Sequence, residues 1–227
     1  MKSANTVVFS TLTLLALAVS PAMATIYADS TGETISSANI DIASVEITNN
    51  ATDIFFNINL NGSIVTPNDW GNYMVGIDSV VGGDTAGNAW VRPISMSSGM
   101  DYWLGSWVNG GGGSQLWSFS GSWAQQNTVG VTIGSQSFSF SQSLASMGLS
   151  AGNSFTFDVY SSGTGSGDGA IDAVANPNQT IANWPDNYNS GANVFTYTVT
   201  PVPEPASLTI LALGSLLAWR RVMRPRA

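Results

Sequence analysis

The chain has 227 residues, only 9% of them charged, and contains neither cysteine nor histidine. Disulfides, zinc sites built on Cys or His, and catalysis by a Ser–His or Cys–His pair are therefore excluded. Residues 25–202 carry one arginine and thirteen acids, a formal net charge of −12. Because phosphate binding needs clustered Lys and Arg, nucleic acid is excluded as a partner.

Residues 1–24 have the three parts of a cleavable signal peptide. Lys2 supplies the positive start, and residues 7–19 form a mostly apolar run that is too short to span a bilayer. Pro21 then precedes a cleavage site with small residues at Ala22 and Ala24. We therefore predict that the chain is exported and that the signal helix is removed.

Alternation of apolar and polar residues dominates the predicted domain at residues 25–200. It is clearest from Ile54 to Leu60, ahead of an Asn61-Gly62 turn, and it predicts strands. The alternation changes phase between Ile42 and Val45, which predicts a bulge or register shift, and residues 142–147 are predicted to be briefly helical. Many half-buried strands without regular βα alternation predict an all-β fold, an antiparallel β-sandwich of jelly-roll or immunoglobulin-like type. Further alternating segments lie at 73–77, 129–133, 138–140, 155–159 and 195–199.

The segment at 41–50 reads Asp-Ile-Ala-Ser-Val-Glu-Ile-Thr-Asn-Asn and leads into the strand at 54–60. This opening resembles the start of DOMON-like and family-9-like carbohydrate-binding sandwiches. The resemblance implies a sandwich and adds a carbohydrate to the expected ligands. It carries over no ligand-binding residue.

Two acidic, glycine-rich loops are candidate calcium sites, since calcium takes carboxylate, amide and main-chain oxygens. The first contains Asp78 and Asp84, and the second contains Asp168 and Asp172. Neither loop has EF-hand spacing, and Asp is a common turn residue, so calcium and an ordinary turn both stay open. Arg92, the lone cation of the domain, is predicted to form a structural ion pair with a neighbouring carboxylate.

Trp103 and Trp107 are four residues apart with Gly105 between them, so on a strand they face the same way. An exposed pair can stack on sugar rings, whereas a buried pair belongs to the core. The leading interpretation is a non-enzymatic structural or adhesive domain. The alternatives are a module that binds exopolysaccharide and a glycosidase-like enzyme that uses two carboxylates. No spacing of acids marks such a pair, so no catalytic residue and no enzymatic activity are predicted.

The last 27 residues, 201–227, combine three features in a fixed order. Val202, Pro203, Glu204 and Pro205 come first, followed by an uncharged segment at 206–219. As a helix its 14 residues extend ~21 Å, which is short for a hydrocarbon core of ~30 Å. A basic cluster then ends the chain and predicts a cytoplasmic C-terminus. It consists of Arg220, Arg221, Arg224 and Arg226.

This arrangement resembles the PEP-CTERM sorting signal. The resemblance implies that an exosortase, a membrane protease, recognises the tail and processes the chain near residues 202–205. It also implies a precursor anchored in the inner membrane by a short transmembrane helix. The processed protein would then reach the cell surface or the extracellular matrix. A plain single-pass anchor is the alternative interpretation of the same residues.

Overall fold

The computed structural model describes residues 24–33, 37–65, 69–110, 112–177 and 181–202. They belong to one compact unit, Ala22–Val202. The predicted signal helix and the predicted tail helix lie outside the described residues. Within those ranges no helix is long and apolar enough to cross a membrane.

The regular secondary structure in the described part of the chain consists of strands, apart from short 3-10 turns at Ala38–Ile40 and Ala145–Met147. The two large sheets are antiparallel and pack as a sandwich, so the predicted all-β sandwich is confirmed. The strands are β1 (Thr25–Ala28), β2 (Ile42–Asn49), β3 (Asp53–Leu60), β4 (Asn72–Asp78), β5 (Ile94–Ser95), β6 (Tyr102–Trp107), β7 (Gly113–Phe119), β8 (Trp123–Asn127), β9 (Gly130–Ile133), β10 (Ser137–Ser143), β11 (Ser154–Ser162), β12 (Asp172–Ala173), β13 (Tyr188–Asn189) and β14 (Phe195–Thr198).

The first sheet has the strand order β1-β2-β3-β10-β9. Its β2–β3 turn is closed by the Asn50 side chain, whose Oδ1 accepts the main-chain N–H groups of Thr52 and Asp53 at 2.8 and 2.6 Å. The predicted register shift is confirmed, because the pairing of β2 with β3 slips between Ile42 and Ser44. This irregularity lies beside the edge strand β1.

The second sheet has the strand order β12-β11-β4-β6-β7-β8, and β14 also pairs with β11. Its inner face packs on the first sheet through aromatic rings. Tyr73 stacks on Phe138 with ring centroids 4.5 Å apart, and Phe56 meets Phe157 at 6.0 Å. Burying each such side chain contributes about 1.5–3 kcal/mol. This core fixes the position of the second sheet relative to the first, including the edges of both sheets.

The outer face of the second sheet carries a second core. Segments 79–101 and 181–194 cross this face, joined by the short parallel pair β5 and β13. Trp103 and Tyr160 project from the sheet into the second core, with ring centroids 5.8 Å apart. Strand β4 is consequently buried on both faces, although alternation in the sequence predicted one buried face.

The predicted helical segment at 142–147 is wrong at its beginning. Gln142 and Ser143 belong to β10, where Ser143 still pairs with Asp53 of β3. Only Ala145–Met147 forms a 3-10 turn. Pairing with the neighbouring strand thus decides the conformation of the first two residues.

Candidate functional site

An acidic cluster lies where β1, an edge strand of the first sheet, meets β12 of the second. Asp29 and Glu33 follow β1, and the Asp29 N–H donates to the Ala43 carbonyl at 3.0 Å, which holds this loop against β2. Asp172 comes from β12. One carboxylate oxygen from each of Asp29, Glu33 and Asp172 lies within 4.8 Å of the other two.

Asp41 adds a fourth carboxylate to this acidic cluster. It directly precedes β2 and is 2% exposed. Its Oδ2 accepts the Gly32 N–H and the Asn61 side-chain amide, each at 2.8 Å. Its Oδ1 has no hydrogen-bond partner in the described residues. Asp41 lies beside the other three acids, because its side chain bonds to Gly32, next to Glu33, and the following residue, Ile42, donates to Asp172. Burial, and to a lesser extent the charge of Asp41, raises the pKa values of Asp29 and Glu33.

Asp172 is held in place by main-chain donors. Its Oδ2 accepts the Ile42 N–H at 2.5 Å and its Oδ1 accepts the Ala173 N–H at 2.8 Å. The first bond connects the two sheets, because Ile42 begins β2. Folding therefore fixes the Asp172 carboxylate against the β1–β2 edge.

Within the described ranges, no positively charged side chain balances the carboxyl groups of the acidic cluster. Burial, followed by the charge of Asp29, raises the pKa of Asp172 to about 8. Burial also raises the pKa of Asp29 to about 7, with the charges of Glu33, Asp158 and Asp41 adding to the effect. The one cation in the described residues, Arg92, donates its bonds elsewhere. The cluster can be neutralised only by protons or by an added cation.

Asp158 forms a separate polar network inside the domain. Its Oδ1 accepts the N–H groups of Val159 and Ala175, at 2.7 and 2.9 Å. Its Oδ2 accepts the hydroxyls of Ser190 and Tyr188, at 2.6 and 3.1 Å. Burial raises the pKa of Asp158 to about 6, although these hydrogen bonds lower it. The network fastens segment 181–194 to β11.

A cleft bordered by two indole rings opens on the outer side of the second sheet. Trp90 lies over Gly105 of β6, where a Cβ would overlap its ring, and Trp107 covers Gly113 of β7 in the same way. The Trp90 and Trp107 ring centroids are 6.1 Å apart, with the planes inclined at 56°. Both side chains are half-buried, so each keeps an exposed part. Glycine at these positions lets the indoles lie on the sheet.

The remaining walls of this Trp90–Trp107 cleft are polar. Its volume is about 320 Å³, and no acidic residue is found in its described lining. The Arg92 guanidinium lies 5.6 Å from the centroid of the Trp90 ring. The polar lining residues are Asn72, Arg92, Asn109, Thr164 and Ser166.

Arg92 forms hydrogen bonds to neutral groups and not the predicted ion pair. Its guanidinium donates to the Ser162 hydroxyl at 2.8 Å and to the carbonyls of Asp168 and Gly163 at 3.0 and 3.1 Å. The predicted ion pair is thus replaced by bonds to neutral oxygens. Burial lowers the pKa of Arg92, and the charge of Asp168 raises it.

The predicted sugar-stacking pair is divided by the structure. Trp103 and Trp107 do face the same side of β6, but Trp103 is fully buried in the second core. A residue in that position cannot reach a sugar, which corrects the prediction for Trp103. Trp107 lines the cleft with Trp90 instead. The local sequence does not mark Trp90, because its approach to Gly105 depends on how segment 79–101 folds back.

The four predicted calcium ligands are also separated. Asp84 accepts the Gly87 N–H at 2.9 Å and the Trp123 indole N–H at 2.8 Å, and Asp168 accepts the Gly165 N–H at 2.9 Å. Asp78 accepts the Thr156 hydroxyl at 3.3 Å. Asp84 and Asp168 thus bond within their own loops, and Asp84 and Asp78 also accept from side chains of β8 and β11.

Of the four, Asp172 alone belongs to the acidic cluster defined above. The other members, Asp29, Glu33 and Asp41, were not predicted from the sequence. The available signal was a run of acids at 29–46 without any Lys or Arg.

Comparison with known proteins addresses the end of the chain. Residues 201–222 match the family model of the PEP-CTERM protein-sorting motif. The protein is exported and sorted by an exosortase. The sorting motif implies a membrane-anchored precursor and delivery to the cell surface or extracellular space, in agreement with the predicted localisation. The matched range includes Val202, Pro203, Glu204, Pro205, Arg220 and Arg221. No curated protein matches the chain, and the DOMON-like resemblance of the middle domain stays a prediction.

Proposed function

We propose that residues 25–202 form a non-enzymatic adhesive domain that holds exopolysaccharide in the Trp90–Trp107 cleft. The observation that carries this proposal is a cleft that combines two half-buried indoles with amide, hydroxyl and guanidinium groups. Indole rings pack on the apolar faces of sugars, and a few polar groups orient the ligand. The sorting motif delivers the domain to the surface, where such polymers are found.

The charge of the domain favours a neutral polysaccharide. One arginine and thirteen acids repel a polymer rich in carboxylates. Arg92 is 7% exposed and already donates to oxygens of the protein, so it is a poor partner for uronate groups. We therefore expect neutral glycans to bind better than uronate-containing ones.

Hydrolysis of the polymer has less support than binding. A glycosidase places two carboxyl groups on either side of the scissile bond. The described residues that line the cleft include no acid. Asp172, the acid with the pKa of about 8, is 1% exposed and cannot contact a polymer.

Substitutions in the cleft test this function. We expect Trp107→Ala and Trp90→Ala to weaken binding to neutral polysaccharide about tenfold or more, because each removes a stacking surface worth roughly 1.4 kcal/mol. Binding is measured first on a glycan array that carries neutral and uronate polymers, then by calorimetry on the neutral glycans that bind.

The matched control is Trp123→Ala, because Trp123 is also half-buried on the second sheet but does not line the cleft. An equal loss in this control would show that binding does not depend on the cleft. If the folded wild type binds none of the arrayed glycans, the polysaccharide function is wrong and a purely structural role replaces it.

The processing step is tested at the sorting motif. Replacing Pro203, Glu204 and Pro205 together with alanine is expected to leave the precursor uncut in the membrane fraction. The match to the sorting motif implies that an exosortase recognises these residues. Immunoblots of membrane and medium measure the two forms, with Ser207→Ala as a small change beside the motif. Normal release of the triple variant would contradict processing through this motif.

A further inference from the structure

We propose that Asp29, Glu33, Asp41 and Asp172 form a calcium site that clamps β1 to β12. One oxygen from each of Asp29, Glu33 and Asp172 lies within 4.8 Å of the others. Oxygens on opposite sides of a calcium ion are about 4.6–5.2 Å apart, since each Ca–O distance is about 2.3–2.6 Å. The three carboxylates are thus already close enough to share one ion. The site shares no residue with the Trp90–Trp107 cleft, so the proposal does not depend on glycan binding.

Asp41 gives independent support for a ligand at this position. It is 2% exposed, and its Oδ1 has no hydrogen-bond partner anywhere in the described residues. Its other oxygen is held by Gly32, the residue before Glu33. Leaving a buried carboxylate oxygen without a partner is costly, and a bound cation removes that cost.

A second carboxylate of the acidic cluster also has an oxygen without a partner. Asp29 Oδ2 is shielded from solvent and has no hydrogen-bond partner among the residues described, and both Glu33 carboxylate oxygens are shielded from solvent as well. Asp172 is oriented by two main-chain N–H groups, and each of its oxygens has a further lone pair for a metal. The acidic cluster therefore offers several free oxygen donors in one place.

The donor chemistry selects calcium over other metals. Four carboxylates supply hard oxygen ligands, and the chain contains no His or Cys for zinc or copper. Magnesium demands a near-ideal octahedron and keeps several waters, whereas calcium accepts irregular sets of six to eight oxygens. The unequal arrangement of acids from a loop, a strand and a turn suits calcium.

A calcium ion at this point has a clear structural effect. Strand β1 pairs only with β2 in the described sheet, and three of its four residues are exposed. Apolar burial therefore stabilises β1 weakly. An ion shared by Asp29, Glu33 and Asp172 connects this strand to the second sheet, so it fastens the N-terminal edge of the exported domain.

Calorimetric titration of CaCl2 into metal-free protein comprising residues 25–202 tests the site. This segment lies within the compact unit Ala22–Val202. We expect one bound ion with a Kd of about 10⁻⁴ M or tighter, and at least tenfold weaker binding of MgCl2. Calcium is also expected to raise the Tm and to slow proteolytic cleavage in the loop after β1.

Neutral variants of the same shape identify the ligands. Asp41→Asn, Asp172→Asn and Asp29→Asn are each expected to weaken calcium binding tenfold or more. Asp78→Asn, which removes a half-buried carboxylate outside the cluster, should bind as the wild type does. Since Asp29 is only partly buried, Asp29→Asn remains informative if the Asp172 variant does not fold.

Two results would overturn the proposal. One is a folded wild type that shows neither heat nor a change in Tm with millimolar CaCl2. The other is undiminished affinity in the folded Asp29 and Asp41 variants.

Discussion

In the presence of EDTA, the free energy of unfolding is expected to fall as the pH rises from 5 to 8. Burial raises the pKa of Asp158 to about 6, of Asp29 to about 7 and of Asp172 to about 8, all from 3.8. The folded protein therefore keeps protons that the unfolded chain has lost above pH 5. The stability that these groups contribute is complete below the unfolded pKa of 3.8, and it is lost progressively as the pH rises from there through each raised pKa.

The free energy of unfolding is expected to change steeply with pH. Each additional proton held by the folded state changes the free energy of unfolding by about 1.4 kcal/mol per pH unit. Burial also raises the pKa of Glu33, which acts in the same direction. The chain has no histidine to oppose this trend. Carboxylates whose pKa is lowered in the folded state cause a loss of stability toward acid, so the opposite sign is diagnostic of buried acids without a cationic partner.

Urea unfolding at pH 5, 6, 7 and 8 in EDTA measures the effect. The midpoint should decrease steadily, and Asp172→Asn should flatten the part between pH 7 and 8. Calcium is expected to remove most of the pH dependence that the acidic cluster causes. The pH dependence that Asp158 causes should remain, because Asp158 bonds to hydroxyls and N–H groups inside the domain and not to the ion. A midpoint that increases from pH 5 to 8 in EDTA would falsify the assignment of raised pKa values.

Trp103→Ala is expected to destabilise the domain by about 3–5 kcal/mol, the usual cost of deleting a fully buried large aromatic side chain. Trp103 stacks on Tyr160 and meets the edge of Trp90, so the deletion leaves a cavity where segment 79–101 packs on the sheet. The same change at half-buried Trp107 should cost much less. Denaturant midpoints of the two variants give a direct comparison.

Trp103→Phe refines the same test. The Trp103 indole N–H has no hydrogen-bond acceptor in the described structure. Replacing it with phenylalanine removes this unsatisfied donor together with some volume, so the net cost is expected to stay below about 1.5 kcal/mol. Equal destabilisation by Trp103→Ala and Trp107→Ala would mean that the second core does not stabilise the fold.

Local sequence patterns predicted much of the sandwich correctly. Alternation in β3 and the change of phase in β2 depend on neighbouring residues, and both appear in the structure. The second core was not predicted, because it forms when segments 79–101 and 181–194 return to the outer face of a sheet. Alternation within one strand carries no information about a distant loop.

The sorting motif was determined by the sequence alone, because its prolines, apolar run and arginines follow one another along the chain. The acidic cluster was decided by tertiary structure. Asp29 and Asp172 are far apart in the chain and meet because the Ile42 N–H bonds to Asp172 between the sheets. Trp90 likewise reaches Trp107 only through the fold of a long segment over Gly105. A linear address can be recognised before folding, whereas a binding site requires the distances that only packing sets.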